Sequence, residues 1–122
     1  MIIFSDAIRI INQKRCDRWH NNKEEWTLGD WGNALAGEVG ELCNVVKKLR
    51  RHESKVSLEY NTPELNVLID SFAEEVADVL LYLDLLCWKT GVKPYTLERV
   101  LERKFNEVSQ AQGWPDLIIE RN

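Results

Sequence analysis

The strongest constraint on the fold is the segment between Thr62 and Gly91, because its two ends carry opposite helix signals. Thr62 is a residue type that caps helices, and Pro63 followed by the acidic Glu64 is typical of a first helical turn. Gly91 is a natural stop at the carboxyl end of a helix. The segment therefore predicts one long helix from Pro63 to about Thr90.

Four acidic residues interrupt the apolar part of this predicted helix, and two of them, Glu75 and Asp78, form a pair at i, i+3 spacing. From Ala73 to Trp88, nearly every residue other than the acids, Tyr82 and the polar end is apolar, so Glu75 and Asp78 belong to a helix that we expect to be mostly buried. An unpaired buried carboxylate costs free energy, and a bound cation is the usual solution. This acid pair is therefore a candidate cation site.

Two more helices are predicted before this segment. The first follows Phe4, is capped by Ser5 or Asp6, and gives no clear end before a polar loop at 21–26. The second is capped by Thr27 or Asp30 and extends to about position 51.

A fourth helix is predicted from Pro94 until Gly113, with apolar residues at helical spacing. Because no alternating run is long enough for a sheet and the chain has only six Gly and three Pro, residues 1–122 predict one all-α domain, a bundle of four main helices. The third helix is apolar on nearly all sides, so we expect a homodimer or homotetramer.

Composition and charge exclude several classes of protein. The net charge of −4 gives no general attraction to a nucleic acid polymer or to an anionic membrane. The longest apolar stretch, Val76 to Trp88, is too short for a membrane span, and the N-terminus does not resemble a signal peptide. The three cysteines stand singly, which argues against a zinc site and favours a cytoplasmic location.

A second acid pair defines the candidate chemistry. Glu38 and Glu41 in the second helix have the same i, i+3 spacing as Glu75 and Asp78, and this spacing places each pair on one side of its helix. Four oxygen ligands without His or Cys favour Mg²⁺, or Mn²⁺, over zinc. Neither histidine follows a Glu by three residues, which argues against a di-iron centre.

These acid pairs could instead be solvent-exposed residues without a metal, because acid pairs at this spacing are common on solvated helix faces. The glycines at 37 and 40 disfavour a helix interior, so they suggest a close approach of helices around the acids, although simple packing explains them too.

The runs 36–42 (AGEVGEL) and 74–82 (EEVADVLLY) resemble the MazG-like all-α nucleoside triphosphate pyrophosphohydrolases, whose signature is EExxE followed by ExxD. The resemblance extends over about 26–114. Gly37 stands where the signature has its first Glu, and the resulting Gly-Glu-Val-Gly-Glu run is similar to the dCTP-hydrolysing branch of the family.

The resemblance implies an all-α dimer or tetramer that hydrolyses nucleoside triphosphates, above all dNTPs, to the monophosphate and pyrophosphate in nucleotide-pool house-cleaning. It implies that Glu38, Glu41, Glu75 and Asp78 are catalytic and hold Mg²⁺, with one carboxylate as the base. Which carboxylate acts as the general base stays open. The preferred nucleobase and sugar of the substrate stay open too.

Five other residues are candidates for substrate binding. Lys48 lies on roughly the carboxylate side of its helix, about 80° from Glu38. Lys104 resembles a phosphate-contacting lysine of the family, and Tyr82 resembles a base-contacting tyrosine and shares the face of Glu75 and Asp78. Of the tryptophans at 19, 26 and 31, we favour Trp31 as a base-stacking residue, and Asn44 is a weaker candidate for the sugar or base.

Two alternatives remain from the sequence. One is a helical oligomerisation or regulatory module without catalysis, and the other is a phosphoribosyl-ATP pyrophosphohydrolase with a similar metal site.

Asp84 lies about 180° from Glu75 around the helix, so we expect it to face a neighbouring helix or solvent and not the metal.

Overall fold

A computed structural model describes residues 4–19, 26–53 and 62–119, and every regular element in these ranges is an α-helix. The helices are α1 (Asp6–Trp19), α2 (Leu28–Glu53), α3 (Pro63–Thr90) and α4 (Pro94–Gln112). The prediction of an all-α chain with four main helices is thus confirmed. Most of the predicted loop at 21–26, the segment 54–61 and the side chain at position 19 lie outside the described residues.

The predicted caps hold the first two helices. Ser5 Oγ accepts a hydrogen bond from the Ile8 amide at 3.2 Å. Thr27 Oγ1 accepts one from the Asp30 amide at 3.1 Å, while Asp30 Oδ2 accepts one from the Thr27 amide at 2.9 Å. This reciprocal pair satisfies two amides that the helix start leaves without intrahelical partners.

Helix α3 begins and ends where the sequence predicts. Thr62 Oγ1 accepts a hydrogen bond from the Leu65 amide at 3.2 Å, and Pro63 opens the first turn. At the other end Gly91 adopts a left-handed conformation with φ 81°, which a residue with a Cβ would adopt only with strain. The turn at Gly91 leads directly into α4.

Helices α2 and α3 form the main packing unit of the chain, and they run antiparallel. Lys89, near the end of α3, places Nζ 5.8 Å from the ring centroid of Trp31, near the start of α2. In the middle of both helices, Glu38 and Glu41 lie beside Glu75. Antiparallel packing therefore brings the two acid pairs to the same level.

A small core closes one end of this helix pair. Its buried members are Cys16 from α1, Trp31 from α2 and Leu85 from α3. Four partly buried hydrophobic side chains pack around them: Trp26, Tyr82, Leu86 and Trp88. The core therefore lies directly beside the level of the carboxylates, with Tyr82 reaching both.

Helix α1 is attached to α3 by a buried polar cluster of Arg9, Asn12 and Asp84, which we call the anchor cluster. Arg9 Nε donates to Asp84 Oδ1 at 2.7 Å, and Asn12 Nδ2 lies 3.0 Å from Asp84 Oδ2. Arg9 Nη1 also donates to the Val92 carbonyl at 2.8 Å. Asp84 thus faces a neighbouring helix, which is one of the two predicted alternatives, and the ion pair fixes where α1 lies.

Helix α4 differs from its expected place in a closed bundle. Within the described residues its contacts with the other helices are slight, since the packing is concentrated between α2 and α3 and between α1 and α3. Asn106 ties down the tail, because its side chain exchanges two hydrogen bonds with the backbone of Ile118 at 2.9 and 2.7 Å. Exposed large hydrophobic residues on and after α4 are Tyr95, Val100, Leu101, Phe105, Val108, Trp114, Leu117 and Ile119.

None of the helices in the described ranges is long and apolar enough to cross a membrane.

Candidate active site

The two acid pairs meet between α2 and α3. Glu38, Glu41 and Glu75 each offer one carboxylate oxygen, and these oxygens lie within 4.8 Å of one another. Asp78 lies one turn after Glu75 and lines the same cleft as Glu38 and Glu41. The i, i+3 spacing on two antiparallel helices gathers three of the four carboxylates into this cluster, and Asp78 lines the adjoining cleft without belonging to it.

The carboxylates destabilise one another's charged forms. The pKa of Glu38 is raised, first because burial disfavours its charge and then because Glu41 and Asp78 lie close. The pKa of Glu75 is raised for the same reasons in the same order. Mutual repulsion of this kind is relieved when a cation is bound among the carboxylates.

Glu75 carries a further sign of a missing partner. Its Oε2 atom is buried, and no group in the described part of the chain donates a hydrogen bond to it. Buried polar atoms in folded proteins nearly always have a partner. Hard carboxylate oxygens without nitrogen or sulfur donors fit Mg²⁺ or Mn²⁺, so the donor set and this buried oxygen both suit such an ion.

A cleft of about 250 Å³ opens beside the carboxylates. It is smaller than the pocket of about 300–1,000 Å³ that usually encloses a ligand of nucleotide size. Its lining residues come from α1, α2 and α3: Arg15, Cys16, Glu38, Glu41, Asp78, Leu81, Tyr82 and Leu85. In a single chain this cleft would therefore leave part of a nucleotide uncovered.

Tyr82 lies in the cleft, as the helical spacing predicts. It is half-buried, and its pKa is raised, first by burial and then by the nearby Glu38 and Asp78 carboxylates. The phenol therefore keeps its proton well beyond neutral pH. It offers both an aromatic face and a hydroxyl donor within the same cleft as the acids.

The other predicted substrate contacts are not gathered here. Lys48 and Asn44 are exposed on α2, and Lys104 is exposed on α4, but none of them lines the cleft. Trp31 is only 1% exposed and packs with Cys16 in the core. Contact of these four residues with a substrate stays a prediction, and Trp31 in this arrangement serves packing.

Two details of the acid surroundings differ from expectation. Asp78 is exposed, and Glu75 is only half-buried, because neighbouring helices of the same chain cover α3 on part of its circumference. A Cβ at Gly37 or Gly40 would meet nothing within 4 Å, so these glycines do not enforce a close helix approach within the chain.

Arg15 and Cys16 are cleft residues that the sequence patterns missed. Both come from the polar half of α1, where apolar periodicity fades. A cysteine following a run of polar residues is a weak sign of a buried position, and Cys16 is 2% exposed. No corresponding sign marks Arg15.

Comparison of the chain with protein-family models, with curated proteins and with solved structures gave no match.

Proposed function

We propose that the protein is a Mg²⁺-dependent hydrolase that converts nucleoside triphosphates, above all dNTPs, to monophosphate and pyrophosphate in cytoplasmic nucleotide-pool house-cleaning. The observation that carries the proposal is the cluster of Glu38, Glu41 and Glu75 oxygens within 4.8 Å of one another. The buried Glu75 Oε2 without a donor among the described residues supports it. The MazG-like motifs around the same residues support the reaction class.

In this proposal the chain's residues have distinct tasks. Glu38, Glu41, Glu75 and Asp78 hold the metal, and one of these carboxylates accepts a proton from the attacking water. When bound, Mg²⁺ supplies Lewis-acid polarisation of phosphoryl oxygens and lowers the pKa of a water ligand. Tyr82 stacks on the base, one helical turn beyond Asp78.

The test is a panel of normal and modified NTPs and dNTPs, with phosphoribosyl-ATP included, scored for pyrophosphate release. We expect release only with Mg²⁺ or Mn²⁺, and we expect Asp78→Asn and Glu41→Gln to abolish it with the helices intact. Asp70→Asn is the matched control, because Asp70 is an exposed acid on the same helix outside the cleft. Full activity of Asp78→Asn or Glu41→Gln would overturn the metal assignment.

We also propose that the chain works as a homodimer or homotetramer. The exposed hydrophobic side chains of α4 form the kind of surface that protein partners cover. The cleft of about 250 Å³ is small for a nucleotide, and an active site completed by residues of a partner copy would fit this size.

The same exposed face favours a second candidate, a helical oligomerisation module whose acids are merely solvated. Thermal melting in Mg²⁺ separates the two candidates, since ligand at about 100 times its Kd stabilises the native state by about 2.7 kcal/mol. A melting temperature that does not respond to Mg²⁺ would favour the module.

A further inference from the structure

The cleft contains one cationic side chain that neither acid motif includes. Among the described residues that line it, Arg15 is the only Lys or Arg, and it faces a space shared with Glu38, Glu41 and Asp78. It comes from α1, whereas the acids come from α2 and α3. The cleft therefore combines acidic side chains from α2 and α3 with a guanidinium from α1.

The position of Arg15 is fixed by the anchor cluster. Asn12, three residues earlier on α1, donates from Nδ2 to the Leu81 carbonyl at 3.0 Å, and Leu81 lines the cleft. Arg9, six residues before Arg15, is tied to Asp84 at 2.7 Å with both side chains buried. The backbone that carries Arg15 is thus held against α3 at the cleft wall.

A phosphate chain entering this cleft needs a positive group from the protein. The carboxylates attract a metal, but they repel the phosphate oxygens that the metal leaves uncovered. A guanidinium matches phosphate oxygens with two parallel N–H donors, which an ammonium group lacks. Lys48 and Lys104 do not line the cleft.

We propose that Arg15 binds the phosphate chain of the substrate, opposite the carboxylates. The assignment rests on the proposed function, and it adds α1 to a site whose motifs lie only in α2 and α3. Arg15 is a binding residue in this assignment, while Arg9, Asn12 and Asp84 position it.

The probe is inorganic triphosphate with Mg²⁺, measured by titration calorimetry, because it has phosphates but neither base nor sugar. Arg15→Gln should weaken its binding about tenfold or more, and Arg15→Lys should weaken it less. Arg18→Gln is the matched control, since Arg18 is an exposed arginine about one turn after Arg15 on α1 and does not line the cleft. Binding of Mn²⁺ alone should be the same in all variants.

Three results would overturn the assignment: an unchanged Kd in Arg15→Gln, an equal loss in Arg18→Gln, or no binding of Mg²⁺-triphosphate by the unmodified protein. Failure of the proposed function gives a different pattern. Arg15-dependent binding of triphosphate without hydrolysis of any nucleotide would refute the hydrolase proposal and support Arg15 as a phosphate-binding residue. Hydrolysis with unaltered triphosphate binding in Arg15→Gln would refute only the assignment of Arg15.

Discussion

Replacing Asp84 with Asn tests whether the anchor cluster holds α1 on the rest of the chain. Asp84 is only 1% exposed and accepts hydrogen bonds from Arg9 Nε at 2.7 Å and Asn12 Nδ2 at 3.0 Å. An asparagine keeps the shape but has a single acceptor oxygen. Its amide group would therefore face one of the two donors, and the Arg9 guanidinium would lose its counter-charge.

The size of the effect follows from the burial of this ion pair. The side chains of Arg9 and Asp84 are 8% and 2% exposed, and removing one partner of a buried pair costs about 3–5 kcal/mol. The Arg9 guanidinium is already short of acceptors, since its buried Nη2 lacks one among the described residues. For a chain of 122 residues, each kcal/mol lowers the melting temperature by about 4 °C, so Asp84→Asn should lower it by about 12–20 °C.

The assay is calorimetry and urea unfolding of Asp84→Asn beside Asp78→Asn, the same substitution six residues earlier on α3. Asp78 is exposed and repels Glu38, so Asp78→Asn should cost no stability while it abolishes Mg²⁺ binding. The double variant Arg9→Met with Asp84→Leu should recover most of the loss, because an apolar pair leaves no buried charge. A loss below about 1 kcal/mol for Asp84→Asn would refute the anchoring role.

Three further outcomes are expected. Tyr82→Ala should raise KM for the best nucleotide about tenfold or more with Mg²⁺ affinity unchanged, while Tyr82→Phe stays mild; a lower melting temperature with an unchanged KM would assign Tyr82 to the core alone. The pKa values of Glu38 and Glu75 are raised in the folded protein, so without metal the folded protein binds more protons than the unfolded chain. The contribution of these two residues to the free energy of unfolding therefore falls as the pH rises from 4.5 through the raised pKa values. Melting curves should show this loss relative to a Glu38→Gln, Glu75→Gln variant, and saturating Mg²⁺ should remove it; equal pH profiles without metal would contradict the mutual repulsion. Sedimentation at micromolar concentration should show a dimer or tetramer, and a clean monomer would contradict the assembly.

The helices could be predicted because their signals are local. Thr62 and Gly91 act through hydrogen bonds and backbone conformation within a few residues, and both ends of α3 follow from them. The gathering of the acids also follows from local geometry, since i, i+3 spacing on neighbouring antiparallel helices leaves few other arrangements. The proximity of Glu38 and Glu75 could therefore be predicted from the sequence.

The contribution of α1 to the cleft could not be predicted, because the buried polar contacts of Arg9 and Asn12 that help hold this helix leave no trace in the apolar pattern. Arg9 and Asn12 look like solvated residues in the sequence, and only their pairing with Asp84, more than 70 positions away, shows that they are buried. Without knowledge of that pairing, the sequence does not indicate that Arg15 lines the cleft. The burial of Trp31 could not be predicted either, since a tryptophan near the start of a helix is equally compatible with a core and with a binding site.

Helix α3 carries two kinds of partly or fully buried carboxylate, and their hydrogen bonds distinguish them. Asp84 has a donor on each oxygen and a paired charge, so it contributes to stability with no ligand present. Glu75 has a raised pKa and a buried oxygen that receives no hydrogen bond from the described residues, so its charged form costs stability when no ligand is present. A fold that satisfies one buried acid and leaves another unsatisfied nine residues away on the same helix needs a reason for the second. The proposed ligand would supply that reason, so this contrast supports the proposed function at the level of Glu75 and a structural role for Asp84.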